Sequence, residues 1–442
     1  MKKQLLRVIP LLLALVLVLL SVSSCSSCAN TGEPMLTLEI DGKSYSYSVN
    51  LYELQLSILK GDLALAGYTV NGHNALQPAF WSVTDDFGDG KLQTIDNYYR
   101  GVILDECRYV LVAQYLFDLY GLSLSQATLD DLDDYLNEFV LTDGDGNKNQ
   151  LNKVLADYGV NYDMLKEYLM MNARLEAVQN YLYGNLGHNV KQQYQEETYE
   201  HFNQIFLPNY DYVFETDENG DEIYYNTSDH SICYKETNYF DIVNGKVVYY
   251  TNATKTHISY DTQNGTRSYK MKDGNTYETV KKSDAELDAL LAKANQLTAS
   301  LQGKSAEAFD TVVAKESPEE MIYADGYYLQ RGIEYSEASS TLFYLDKIME
   351  KLKDAKEGDV FMVESSKGYH IVMKQKHTDK AYELSENNAW FEASYAVSFT
   401  QALTNRVFKS ACEPYYESVS LDDALYATTK SLKDVLANYN YK

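Results

Sequence analysis

Seven histidines and five cysteines are scattered along this 442-residue chain, and their spacing assembles no metal set and no nucleophile–base pair. Neither GxSxG, HExxH nor GxxxxGK[ST] occurs, which removes the usual starting points for a hydrolase or a nucleotide enzyme. Cys107, Cys233 and Cys412 are far apart and odd in number, so no disulfide framework is expected among them. Cys107 lies in an apolar helical run and reads as a core residue. Asp143-Gly144-Asp145-Gly146-Asn147-Lys148-Asn149 imitates the start of a calcium loop, but Lys148 replaces the sixth-position glycine and Val154 the twelfth-position glutamate. A polar turn between helices is the better reading. What remains is hydrogen-bonding chemistry, and its most distinctive carrier is His370, in Gly368-Tyr369-His370-Ile371 within FMVESSKGYHIVMK.

The elements around that histidine can be read from periodicity. Leu36 to Ser48 alternates about Asp41-Gly42, a hairpin signal. Amphipathic helices are expected over Leu51–Leu65, Leu92–Leu119, Ala127–Phe139 behind Ser125, Leu151–Tyr158, and Tyr162–Tyr183 behind Asn161. A short apolar strand, His201 to Pro208, follows. Tyr210 to about Lys282 is rich in Tyr, Thr and Asn, and Asn219-Gly220, Asn244-Gly245, Asn264-Gly265 and Asp273-Gly274 punctuate it into β-hairpins. Helices resume at Asp284–Leu301 and Ala306–Ala314. The segment from Glu386 to Lys442 reads as helical with an interruption at Pro414.

The stretch Asp325–Lys374 reads DGYYLQRG, then an amphipathic segment closed by Gly358, then two short strands around a Gly-aromatic-His turn. It resembles the second half of a parvulin-type peptidyl-prolyl isomerase domain. The preceding order of hairpin, helices and LNKVLADYGVNYDMLKEYLMMNARLEAVQNYL resembles the N-terminal chaperone region of SurA/PrsA-type foldases. The resemblance implies an α+β protein. Residues 36–196 would be a helical chaperone domain, 197–380 a parvulin-like domain carrying the hairpin insertion 210–282, and 381–442 a C-terminal helical segment packing on the chaperone domain.

Prolyl isomerisation must overcome an amide barrier of about 18–20 kcal/mol, by binding the twisted amide better than either planar form. It needs an apolar slot and hydrogen-bonding groups, and no metal, cofactor or obligate nucleophile. Against the parvulin pattern, His370 falls on the histidine of the closing strand. The family's first histidine falls on Gln204, and its Cys or Asp falls on Glu319 after Ser317. Gly326, Tyr327 and Tyr328 match the Gly-aromatic segment. The resemblance therefore implies His370, Gln204 and Glu319 as the polar catalytic set. Tyr328, Leu329, Phe343 and Ile348 become candidates for the substrate slot, with Glu334 or Tyr335 as further neighbours. Two readings stand at this point: a foldase that isomerises prolyl bonds, and a holdase whose parvulin domain is degenerate and only binds peptide.

The N-terminus adds a location. Met1 to Arg7 is basic, and Ile9 to Val22 is an apolar run of signal-peptide length, too short for a comfortable membrane span. Residues 1–24 are thus expected as a signal peptide and 25–35 as a tether. Val22-Ser23-Ser24-Cys25 resembles a bacterial lipoprotein box, which implies lipidation at Cys25, with Cys28 as the alternative, and an extracytoplasmic protein anchored to the cell membrane. The net charge of −26 disfavours phosphate backbones, so nucleic acid is not an expected partner. The implied partners are unfolded or newly secreted polypeptides. A solute-binding lipoprotein is a weaker alternative, because βαβ alternation is missing from the first half. A surface adhesin built on the Tyr-rich insertion is another.

Overall fold

The computed structural model describes residues 32–88, 90–213, 278–318, 321–333, 335, 344–392 and 397–442, and the backbone of five short strands between 223 and 270. The expected leader and the expected lipidation position, Cys25, lie outside the described residues. No helix among the described residues is long and apolar enough to cross a membrane. The fold is mixed α+β with small antiparallel sheets. It divides into two compact units, Met1–Lys191 with Val397–Lys442, and Gln192–Ala396.

The first unit opens with strands β1 (Pro34–Ile40) and β2 (Lys43–Ser48), paired antiparallel across Asp41-Gly42. Both turn residues have positive φ, 51° and 73°, the conformation that an Asp-Gly hairpin turn supplies. Ser48 then accepts from Leu51 N and starts α1 (Val49–Leu65). Two short hairpins lead to α2 (Ile95–Leu119), capped by Thr94. The expected helix from Leu92 begins three residues late. Residues Leu92–Thr94 pair as a strand with Thr84–Asp86, and the Thr94 hydroxyl stops the helix from extending backwards by binding Asn97 N. Helices α3 (Gln126–Thr142), α4 (Lys148–Leu155) and α5 (Tyr162–Gly184) follow, capped by Ser125, Asn147 and Asn161. Asn147 is thus a helix cap inside the calcium-like sequence.

Helix α6 (His188–Thr198) carries the chain from the first unit into the second, which begins at Gln192, and leads to β3 (Tyr199–Pro208). The chain leaves β3 into the insertion through Tyr210–Val213, which pairs with Glu278–Lys281 on return, Tyr210 opposite Lys281. Within the insertion, Tyr239–Val243 pairs antiparallel with Lys246–Tyr250, Val243 opposite Lys246. The four expected turns, at Asn219-Gly220, Asn244-Gly245, Asn264-Gly265 and Asp273-Gly274, lie outside the described residues. Next come α7 (Asp284–Leu301), opened by a Ser283/Glu286 capping box, and α8 (Ala306–Glu316). After β4 (Tyr327–Gln330), α9 (Leu345–Leu352) precedes β5 (Val360–Ser365) and β6 (Gly368–Lys374). The four strands form one antiparallel sheet in the order β4-β3-β6-β5.

One face of this sheet packs Ile205, Leu207, Ile371 and Met373 against Ala294, Leu301, Phe309 and Val313 of α7 and α8. Strand alternation sends Phe202, Gln204, Phe206, His370 and Val372 to the other face. Residues 381–396, expected with the C-terminal segment, belong instead to the second unit. Asn387 donates to Asp325, Trp390 Nε1 donates to Gly326 O, and Phe391 packs on Tyr199 and Tyr328.

The chain then returns to the first unit with α10 (Phe399–Tyr416), packed on α2 and α5, and β7 (Ser420–Leu421), the third strand beside β1. Pro414 does not interrupt α10. It sits in the last turn, where its missing N–H costs a single intrahelical bond. Most of 417–442 is not helical. It lies along α1, where Lys60 Nζ donates to the carbonyls of Leu432, Lys433 and Val435, and Asn438 N donates to Ser57 O.

Candidate functional site

His370 is fixed by two neighbouring strands. In the β3–β6 ladder it lies opposite Phe206, and Gln204 lies opposite Val372, so Gln204 reaches His370 along the diagonal. Two glycines let this happen. A Cβ on Gly368, at φ +148°, would stand 2.1 Å from Leu207 O. One on Gly326, at φ +65°, would stand 2.5 Å from Phe202 O. Both glycines flank β3 where only bare backbone fits, which is the physical content of the Gly-aromatic pattern.

The imidazole is sealed. His370 and Gln204 are both 0% exposed. The ring is sandwiched between Phe206 at 4.6 Å and 22° and Tyr344 at 4.4 Å and 15°. Nδ1 lies 3.0 Å from Gln204 Oε1, and Nε2 lies 2.9 Å from Ser365 Oγ. Burial, with a smaller contribution from the Lys347 charge, pushes the histidine pKa down to about 3. The ring is therefore neutral.

Each ring nitrogen has a polar partner inside the protein. Ser365 Oγ also lies 3.2 Å from Gly368 O and accepts from Lys367 N. Gln204 Nε2 is directed toward the Tyr327 and Tyr344 hydroxyls, and Tyr327 Oη donates to Met321 O at 3.0 Å.

The remaining expected site residues do not gather here. Tyr328 is a correction: it lies opposite His201 in the ladder and so occupies the other face of the sheet from His370. Leu329 shares the His370 face but pairs with Glu200, six residues along β3 from Phe206, roughly 20 Å away at strand rise. Both are buried, as is Ile348 on α9, so none of the three lines an open slot. Tyr335 is buried at the end of β4, its hydroxyl on Gln330 O. Glu319, Glu334 and Phe343 lie outside the described residues.

The structure adds a second polar cluster on the opposite face. His201, 2% exposed, stacks on Tyr328 at 4.2 Å and 4°, and His377 meets both rings edge-on. Both ring nitrogens of His201 face backbone carbonyls, Lys376 O at 2.6 Å and Asp325 O at 2.9 Å. Asp325 accepts from Thr378 Oγ1, Tyr328 Oη and Asn387 Nδ2. Burial pushes the nearby Asp310 carboxyl up, although Gln375 and Asn203 both donate to it. This cluster fastens 375–391 to the sheet. His201 stands three residues before Gln204 on the same strand; odd spacing puts it on the other face, so the alternation was the available signal. No metal-holding group of His, Cys, Asp or Glu occurs among the described residues. No family model matches the chain, and no curated protein matches it.

Proposed function

We propose that this chain is an extracytoplasmic, lipid-anchored folding factor of the SurA/PrsA type that holds non-native secreted polypeptides, and that its parvulin-like unit binds without isomerising. The observation that carries the folding-factor reading is the discontinuous first unit. Its N-terminal helices are completed by α10 and the C-terminal tail after a whole second unit has intervened. The resemblance implies this arrangement of a helical cradle with an inserted domain. The strand, two helices, Gly-aromatic strand, helix and two strands of the second unit support the parvulin-like part.

The choice between isomerase and holdase rests on His370. A group that stabilises a twisted amide must present a hydrogen bond to the substrate. Here the ring faces are covered by Phe206 and Tyr344, and both nitrogens are engaged inside the protein. His370 is then a positioning residue for β5 and β6.

The test is suppression of aggregation. The chain from residue 26 onward, mixed with a protein diluted out of denaturant, is expected to reduce light scattering in proportion to its concentration up to an equimolar ratio. Scattering unchanged in molar excess would sink the folding-factor reading.

A further inference from the structure

A four-stranded open sheet has two edges, and side-chain donors close them in different ways. At β4 the outward carbonyls of Gly326 and Gln330 accept from Trp390 Nε1 and Tyr335 Oη, each at 3.1 Å. Both aromatic donors are buried, 6% and 1% exposed, so that edge is sealed by the core itself. At β5 the outward carbonyls are those of Val360, Met362 and Glu364. They accept from Gln302 Nε2 at 2.6 Å, Lys351 Nζ at 2.7 Å and Lys347 Nζ at 3.1 Å. All three donors belong to exposed side chains. In an antiparallel strand the N–H of a residue points the same way as its carbonyl. The N–H groups of Met362 and Glu364 therefore point outward too, and β5 is the last strand of the sheet.

We propose that Lys347, Lys351 and Gln302 gate the β5 edge against strand addition, and that the partner this edge fits once the gate is removed is β5 of a second copy of this chain. A two-fold axis through Met362 would set Val360 opposite Glu364 of the second copy. No like charges meet in that register, and every outward N–H faces a carbonyl. Unguarded edges of this kind pair readily, and lysine is a common means of blunting them. Lys351 also covers the half-buried Phe361 ring, with Nζ 5.8 Å from its centroid, so the gate screens apolar surface as well as backbone. The proposal is independent of the folding-factor reading, because it concerns association of this chain with itself.

The experiment is sedimentation equilibrium on the chain from residue 26 onward. The Lys347→Ala/Lys351→Ala variant is expected to reach twice the wild-type mass as concentration rises, while Lys347→Arg/Lys351→Arg, which keeps donors, behaves as wild type. Adding Met362→Pro to the alanine pair removes one outward N–H and is expected to restore the wild-type mass. Should the alanine pair unfold, Lys347→Met/Lys351→Met keeps the apolar stems and replaces it. A folded variant lacking both lysines that stays at wild-type mass even with Gln302→Ala added, or association that survives Met362→Pro, would overturn the proposal.

Discussion

Replacing His370 with alanine is expected to destabilise the second unit by roughly 4 kcal/mol. The substitution opens a ring-sized cavity between Phe206 and Tyr344 and strands the Gln204 amide and the Ser365 hydroxyl in the core. A pH signature should accompany the loss. In the unfolded chain this histidine titrates near 6.5, whereas burial holds it down to about 3 in the folded protein. Between those values the unfolded chain takes up a proton that the folded one refuses. Wild-type stability therefore falls as pH falls, by about 1.4 kcal/mol per pH unit through this group. Denaturant unfolding followed across pH 6 to 4 should show a shallower slope for His370→Ala, by about one proton. A loss below about 1 kcal/mol with an unchanged slope would mean that the imidazole is accessible to water.

The second large effect lies in the first unit, and its sign opposes the usual rule. Gly61 is in the interior of α1, where alanine ordinarily gains about 1 kcal/mol over glycine. Here a Cβ would stand 1.8 Å from Asn438 O. Gly61→Ala is expected to lose about 2 kcal/mol, since a backbone carbonyl must move. The tail is held along one stripe of α1. Ser57 O accepts from Asn438 N, Lys60 Nζ binds three carbonyls, and Asp62 pairs with Lys442 at 2.6 Å. Limited proteolysis should accordingly cut the variant first within 430–442. A Gly61→Ala protein more stable than wild type, with an unchanged digestion pattern, would show that the tail does not clasp the helix.

Local chemistry made parts of this fold legible. Asp41-Gly42 specified a turn with positive φ, and Ser125 and Asn161 announced helices by their side-chain oxygens. Gly326 and Gly368 were readable because close approach to β3 excludes any other residue. The failures came where tertiary contact decides. Leu92–Thr94 has helical periodicity but is captured as a strand by Thr84–Asp86. The tail after Tyr416 carries apolar Leu432, Val435 and Tyr441 without forming a long helix, because α1 supplies its hydrogen bonds. At the site, the diagonal contact of Gln204 with His370 followed the implied pairing. Its closure did not, since Tyr344, the residue before α9, meets the ring only through tertiary packing. Tyr328 and His201 were missed as a pair because each was read without its face of the sheet.

The proposal that the second unit binds polypeptide without isomerising it rests on the His370 ring, closed between Phe206 and Tyr344. The direct measurement is the cis-to-trans relaxation rate of a short proline-containing peptide, with increasing amounts of the chain from residue 26 onward. The account predicts the uncatalysed rate at every concentration, identical for wild type and His370→Gln. Acceleration in proportion to concentration that disappears in His370→Gln would contradict it.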